Sequence, residues 1–221
     1  MVRERELAKP LIGVLAVQGA FAEHVLGLER VGADTRLVRQ PTDLEGLDGL
    51  VIPGGESTTL GLLGARTGLL EAVQRTLAGG LPVFGTCAGM IMLADETTGG
   101  PQPLIGGLDI CVRRNAFGRQ VASFEADVEL TPFPEPPFPG VFIRAPWAER
   151  VGPGVEILAS RGGHAIAART DVALVTAFHP ELTDDLRVHD LFLRMVREAE
   201  AHDSVDASPV HRKEGERVRA Q

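Results

Sequence analysis

Two short runs in the first quarter of the chain, Leu11 to Val17 and Leu50 to Ile52, are apolar at every position. A strand with one face in water alternates apolar and polar residues. A strand that does not alternate is covered on both faces, and a mostly parallel sheet flanked by helices provides that cover. The intervening residues supply the rest of such a unit. Phe21, Val25 and Leu28 recur at helical spacing and Gly32 closes the segment; Thr35 to Val38 reads as a second strand, and Pro53-Gly54-Gly55 ends the third. A helix over Leu69 to Ala78 stops at Gly79-Gly80 and leads into a strand over Pro82 to Phe84. This β-α-β-β-α-β order predicts a parallel sheet with helices on both faces.

The second half predicts strands at Leu108 to Val112, Phe124 to Leu130, Val141 to Ile143, Val155 to Ala159 and Ala165 to Ala168, forming an antiparallel extension of the same sheet. Five prolines between Thr131 and Gly140 predict a stiff loop there, since proline is excluded from central strands. Val188, Leu191, Phe192, Met195 and Val196 make the clearest amphipathic helix of the chain. The expected organisation is a flexible extension over residues 1–10, one domain over 11–199, and a disordered polar tail over 200–221.

Composition removes several classes of function. The chain has 221 residues and a net charge of −8, with no basic run, which argues against a broad nucleic-acid surface. No apolar run approaches the roughly 20 residues of a membrane helix. The only cysteines, Cys87 and Cys111, are too few for a disulfide framework and suit a reduced, cytoplasmic protein, although a bridge between them stays formally open. No Cys/His/Asp/Glu grouping has metal-ligand spacing, so neither a catalytic metal nor a cofactor is expected.

The chemistry concentrates in two segments. Pro82-Val-Phe-Gly85-Thr-Cys87-Ala-Gly89-Met90 has the form strand, Gly-x-Cys-x-Gly, helix start, the cysteine version of a nucleophile elbow. Its glycines allow a sharp turn that exposes the middle residue, and the helix N-terminus favours a thiolate. The Ala88 N–H would face an oxyanion formed on an attacked carbonyl. The competing reading is a buried structural cysteine beside tightly packed glycines. Cys111, in an apolar strand, reads as core.

A cysteine nucleophile needs a base, and the base an orienting acceptor. Of six histidines, only His179 follows a buried-type strand (Leu174 to Phe178) and has a carboxylate at a usable spacing. In His179-Pro180-Glu181 the proline keeps the chain extended, and side chains two apart then point the same way. Taken alone, the same residues would read as a solvated turn. His24 and His189 fall within helices and are expected at the surface or in packing roles.

Two other loops complete the picture. Ile52-Pro-Gly54-Gly55-Glu56-Ser57-Thr-Thr59 joins a strand to a helix, at the sheet edge where ligands of parallel sheets bind. Its N–H groups could serve an oxyanion or a phosphate, but it lacks the Gly-Lys-Ser/Thr ending of a P-loop. Arg113-Arg114-Asn115 and Ile143-Arg144 offer cations to an amino-acid carboxylate, or are simply surface arginines.

Gly85-Thr-Cys87-Ala-Gly89 together with Phe178-His179-Pro-Glu181 resembles the class I, triad-type glutamine amidotransferases. Gly13 to Ala20, Pro53 to Thr59, Arg114 to Gln120, Ser123 to Asp127, Phe142 to Pro146 and Phe178 to Thr183 narrow the resemblance to the glutaminase subunits of pyridoxal 5′-phosphate synthase, over about residues 11–197 in the family's order. The resemblance implies an α/β three-layer sandwich, similar to flavodoxin, with a mostly parallel central sheet and an antiparallel extension. It implies Cys87, His179 and Glu181 as the catalytic triad; Gly55, Glu56, Ser57, Arg114, Ile143 and Arg144 as the L-glutamine contacts; and Gln18, with Gly55 and Ala88, near the oxyanion hole. It further implies a (β/α)8 synthase subunit as the recipient of ammonia, in a complex of twelve of each subunit. A glutaminase subunit serving another acceptor pathway shares the triad, and a scaffold that binds glutamine without turning it over is the third alternative.

Overall fold

The computed structural model describes residues 9–118 and 123–206. In chain order its elements are β1 (Leu11–Leu15), α1 (Phe21–Arg30), β2 (Asp34–Val38), β3 (Gly49–Ile52), α2 (Ser57–Thr67), α3 (Leu69–Ala78), β4 (Val83–Thr86), α4 (Ala88–Leu93), β5 (Ala94–Thr98), β6 (Leu108–Arg113), β7 (Ser123–Leu130), β8 (Phe133–Ile143), β9 (Trp147–Val151), β10 (Glu156–Arg161), β11 (His164–Arg169), β12 (Ala173–Thr176) and α5 (Arg187–Asp206). Short 3-10 turns lie at Pro41–Leu44 and Pro180–Leu182. The helix α5 continues past Glu200, so the expected tail is helical as far as Asp206. Most of the expected N-terminal extension and the end of the tail lie outside the described residues.

The main sheet has the order β2-β1-β3-β4-β12-β11-β9-β6-β5, with β10 pairing β11. Its first five strands are parallel, and the remainder is joined mainly by antiparallel pairs. This is the mostly parallel sheet with an antiparallel extension expected above. The wholly buried strands β3, β4 and β12 lie side by side in it. Connections run one way from β1 to β2 and the other way from β3 to β4, so right-handed crossovers put α1 and α2–α3 on opposite faces. The helix contacts agree: α5 packs on α1, whereas α2 packs on α3 and α4. The reversal between β1 and β3 is a topological switch point, with the loops after β1 and β3 opening at its carboxyl edge.

One part of the expected sheet is elsewhere. β7 and β8 form a separate two-stranded ribbon, and the proline-rich stretch read as a loop is most of β8. Each strand of a ribbon has one unpaired edge, where a missing N–H costs no ladder bond; the exclusion of proline applies only to central strands. Aromatic packing fastens the ribbon: Phe124 and Phe142 stack with centroids 4.7 Å apart, Phe117 packs edge-on against both, and Phe142 and Phe138 both meet Phe178. Two strands passed over in the sequence, β5 and β9, are short, and β5 carries Asp-Glu-Thr-Thr at the sheet edge.

Tight backbone contact explains the elbow's glycines. A Cβ on Gly89 would collide with the Ile52 carbonyl oxygen, and one on Gly85 would lie 2.6 Å from the Gly89 carbonyl carbon. Gly89→Ala is therefore expected to destabilise the chain by about 1–3 kcal/mol, lowering Tm by roughly 2–10 °C. Thermal unfolding measures this, and an unchanged Tm would contradict the packing described.

Candidate active site

The pairing of β4 with β12 decides the geometry. The strands are parallel with Thr86 opposite Thr176, and the Cys87 N–H donates to the Thr176 carbonyl at 2.7 Å. Residues just beyond both strand ends, Cys87 and His179, are thereby delivered to one edge of the sheet. Cys87 takes φ 48° and ψ −97°, a strained backbone for a residue with a Cβ, and α4 starts immediately after it. The Cys87 thiol approaches the Ile143 carbonyl at 3.7 Å, and the His179 N–H donates to the Val141 carbonyl at 2.8 Å. The proline-rich ribbon thus holds both residues from the outside.

His179 stands between the sulfur and a carboxylate. Its Nδ1 lies 2.8 Å from Glu181 Oε1, with the carboxylate fully buried. Burial disfavours the imidazolium, but hydrogen bonds to the Cys87 sulfur and to Glu181, with the negative charge of both, carry the His179 pKa up to about 10. Burial likewise opposes ionisation of Glu181, yet His24 and His179 hold its carboxyl below the usual range. Gly54 allows the neighbouring loop to close over this pair, since a Cβ there would strike the His179 ring.

A cavity of about 220 Å³ opens beside the sulfur, lined by Cys87, His179, Gln18, Gly55, Glu56, Ser57, Ile91, Arg114, Asn115, Ile143 and Arg144. Ala88 does not line it; buried, it begins α4. Three non-glycine residues among those described have positive φ, namely Cys87, Asn115 and Arg144, and all three line this cavity. Such strain gathers where surrounding structure fixes functional groups.

Glu56 has a structural task as well. Its carboxylate caps α2, accepting from the Thr59 hydroxyl (2.6 Å) and from the Thr59 and Thr58 N–H groups (2.7 and 3.1 Å). These bonds, the Thr59 hydroxyl foremost, outweigh its partial burial and bring its pKa to about 2, and Arg114 pairs with it at 3.4 Å. The Ser57 hydroxyl donates to Gln102 at 3.1 Å. Gln18 Oε1 is buried at the cavity without a hydrogen-bond partner among the described residues. Cys87 and Cys111 are free thiols; Cys87 is buried, not exposed as the elbow reading expected, because the ribbon and the loop after β3 pack over it, and Cys111 is half-buried rather than core. No helix among the described residues is long and apolar enough to cross a membrane.

Comparison with known proteins now decides the family. Residues 14–198 match the profile described as the SNO glutamine amidotransferase family. The chain belongs to that family. Among relatives, it is 55% identical over 193 residues to "Pyridoxal 5'-phosphate synthase subunit PdxT" of Parafrankia sp. (strain EAN1pec), covering 86% of this chain and 95% of the relative. The protein of the same name from Streptomyces avermitilis is 55% identical over 190 residues, covering 85% and 94%. A solved structure described as "Crystal structure of glutamine amidotransferase" superposes with a TM-score of 0.80 at 48% identity, covering 84% of this chain and 98% of the other.

Sequence reasoning missed what lies behind His179 and Glu181. His24 and His189, expected at the surface or in packing, are both fully buried and hydrogen-bonded to each other. The buried face of α1 carries His24, Gly27 and Leu28, and the i, i+3, i+4 spacing of these residues was the available signal.

The raised His179 pKa makes a direct prediction. Its imidazolium contributes stability that is complete below the unfolded value of 6.5 and lost as pH rises through about 10. Removing the sulfur in Cys87→Ala removes a leading cause, so His179 should titrate at lower pH than in the wild type. An NMR titration of the ring follows both, and identical midpoints would contradict the coupling.

Proposed function

We propose that this chain is the glutamine-hydrolysing subunit of a pyridoxal 5′-phosphate synthase, working through Cys87, His179 and Glu181. The observation that carries the reading is that Cys87 and His179 line one cavity together with Arg114 and Arg144, while the far nitrogen of His179 is bonded to the buried Glu181. The names of the relatives support the pathway.

In this reading L-glutamine enters with its carboxylate toward Arg114 and Arg144 and its side-chain amide over Cys87. Gly55, Glu56, Ser57 and Ile143 line its path. The sulfur attacks the amide carbon, and the negative charge that develops on oxygen is met by N–H groups of Gly55 and Ala88, near Gln18. His179 gives its proton to the amide nitrogen; the C–N bond breaks, releasing ammonia and leaving a glutamyl thioester. His179 then takes a proton from water, which attacks the thioester and frees glutamate and the thiol. Glu181 keeps the imidazole oriented and stabilises its cation throughout. Ammonia passes to a (β/α)8 synthase subunit in a complex of twelve of each, and the two free thiols suit a reduced, cytoplasmic setting.

Glutamate release with and without a synthase subunit tests this. Cys87→Ala should lower the rate at least roughly 10³-fold while still binding the partner. Glutamate release by that variant at the wild-type rate would overturn the mechanism.

A further inference from the structure

Behind the triad, away from the substrate cavity, lies a chain of buried imidazoles. Glu181 Oε1 receives His179, but its Oε2 is buried without a hydrogen-bond partner among the described residues, and His24 Nε2 stands 3.4 Å from it. The same His24 nitrogen lies 3.2 Å from Thr86 Oγ1, which already accepts the Gly54 N–H at 2.9 Å. On the other side, His24 Nδ1 lies 3.1 Å from His189 Nε2, while His189 Nδ1 is buried and unpartnered. The arrangement is built rather than incidental. Gly27 makes room for the His189 ring, since a Cβ there would lie 3.0 Å from Nε2, and Phe84 packs edge-on against both imidazoles.

Where the protons sit follows from the pattern of contacts. Burial lowers the pKa of both rings, against the pull of Glu181, and brings His189 to about 3, so each ring carries one proton at neutral pH. With the His24 proton on Nε2, that N–H lies 3.2 Å from Thr86 Oγ1 and presents its positive end 3.4 Å from Glu181 Oε2, His189 donates from Nε2 to His24 Nδ1, and the unpartnered His189 Nδ1 is only a lone pair. With the protons reversed, a lone pair would face a buried carboxylate and His189 would bury an N–H with no acceptor, the costlier defect.

We infer that His24, locked by His189 as the Nε2–H tautomer, is a positioning residue for the triad that holds Glu181 ionised and aimed at His179. It touches neither substrate nor sulfur and acts only through the carboxylate. The other charged groups around Glu181 do not replace it. Glu23 and Arg30 of α1, and Asp184 after the 3-10 turn, line an outer cavity with Glu181 and His189. Arg30 and Asp184 pair with each other at the exposed rim, 3.5 Å apart. His179 is already committed to Oε1.

This inference rests on the glutaminase reading, so Cys87→Ala serves as the control in the assembled complex. If wild type releases glutamate and Cys87→Ala does not, that reading stands and His24 can be judged separately. His24→Leu should then lower kcat by roughly 10–100-fold, with KM unchanged, as loss of a polar group that supports a functional side chain does. The acid limb of its kcat profile should move to higher pH, because Glu181 loses a donor that favours its charged form. His24→Gln, which keeps a donor near the Nε2 position, should restore most of kcat and the original acid limb. A His24→Leu enzyme with wild-type kcat and acid limb would overturn the inference, as would a His24→Gln enzyme equally impaired. Should the leucine variant fail to fold, nitrogen-15 NMR of the wild-type chain decides the matter: Nε2–H on His24 supports the inference and Nδ1–H refutes it.

Discussion

The register between β4 and β12 is the constraint on which the rest of the structure depends. Thr86 lies opposite Thr176 in neighbouring parallel strands, and the Cys87 N–H closes onto the Thr176 carbonyl. A shift of one residue would turn every side chain of a strand to the other face. Because both strands are buried on both sides, such a slip would also misplace Phe84 and the apolar residues around it. The hydrophobic core thus fixes, to within one residue, where sulfur and imidazole stand relative to each other.

Around that register the fold supplies three walls. The switch-point loops after β1 and β3 bring Gln18 and the Gly54 to Ser57 backbone over the site, close enough that Gly19 and Gly54 leave no room for side chains. The β7–β8 ribbon closes the outer side, giving carbonyls to both Cys87 and His179. The buried imidazoles of α1 and α5 stand at the back, behind Glu181. Among the described residues, positive φ outside glycine is found only at the front, at Cys87, Asn115 and Arg144.

Much of this was legible in the sequence where the signal is local. Unbroken apolar runs gave the parallel strands, and Gly-x-Cys-x-Gly carries its geometry within a few residues; His179 does meet Glu181, but across a 3-10 turn over Pro180–Leu182 and not along the extended chain expected. What escaped depends on distant partners. The proline-rich stretch becomes a strand because β7 and Phe178 receive it, and nothing within residues 131–140 announces either. His24 is buried where a histidine 165 residues away completes its hydrogen bonds, so a reading of the helix alone left it between a surface and a packing role. Glu56, matched to a substrate contact by resemblance, also caps a helix, a second role that the resemblance did not bring out.

The central claim is that this cavity presents one sulfur, activated by His179, to the side-chain amide of glutamine. An electrophilic glutamine analogue followed by peptide mass spectrometry addresses it most directly. The account predicts one covalent adduct per chain, on Cys87 and not on the half-buried Cys111, with excess L-glutamine preventing it. Equal labelling of both thiols, or labelling of Cys87 that glutamine does not slow, would contradict it.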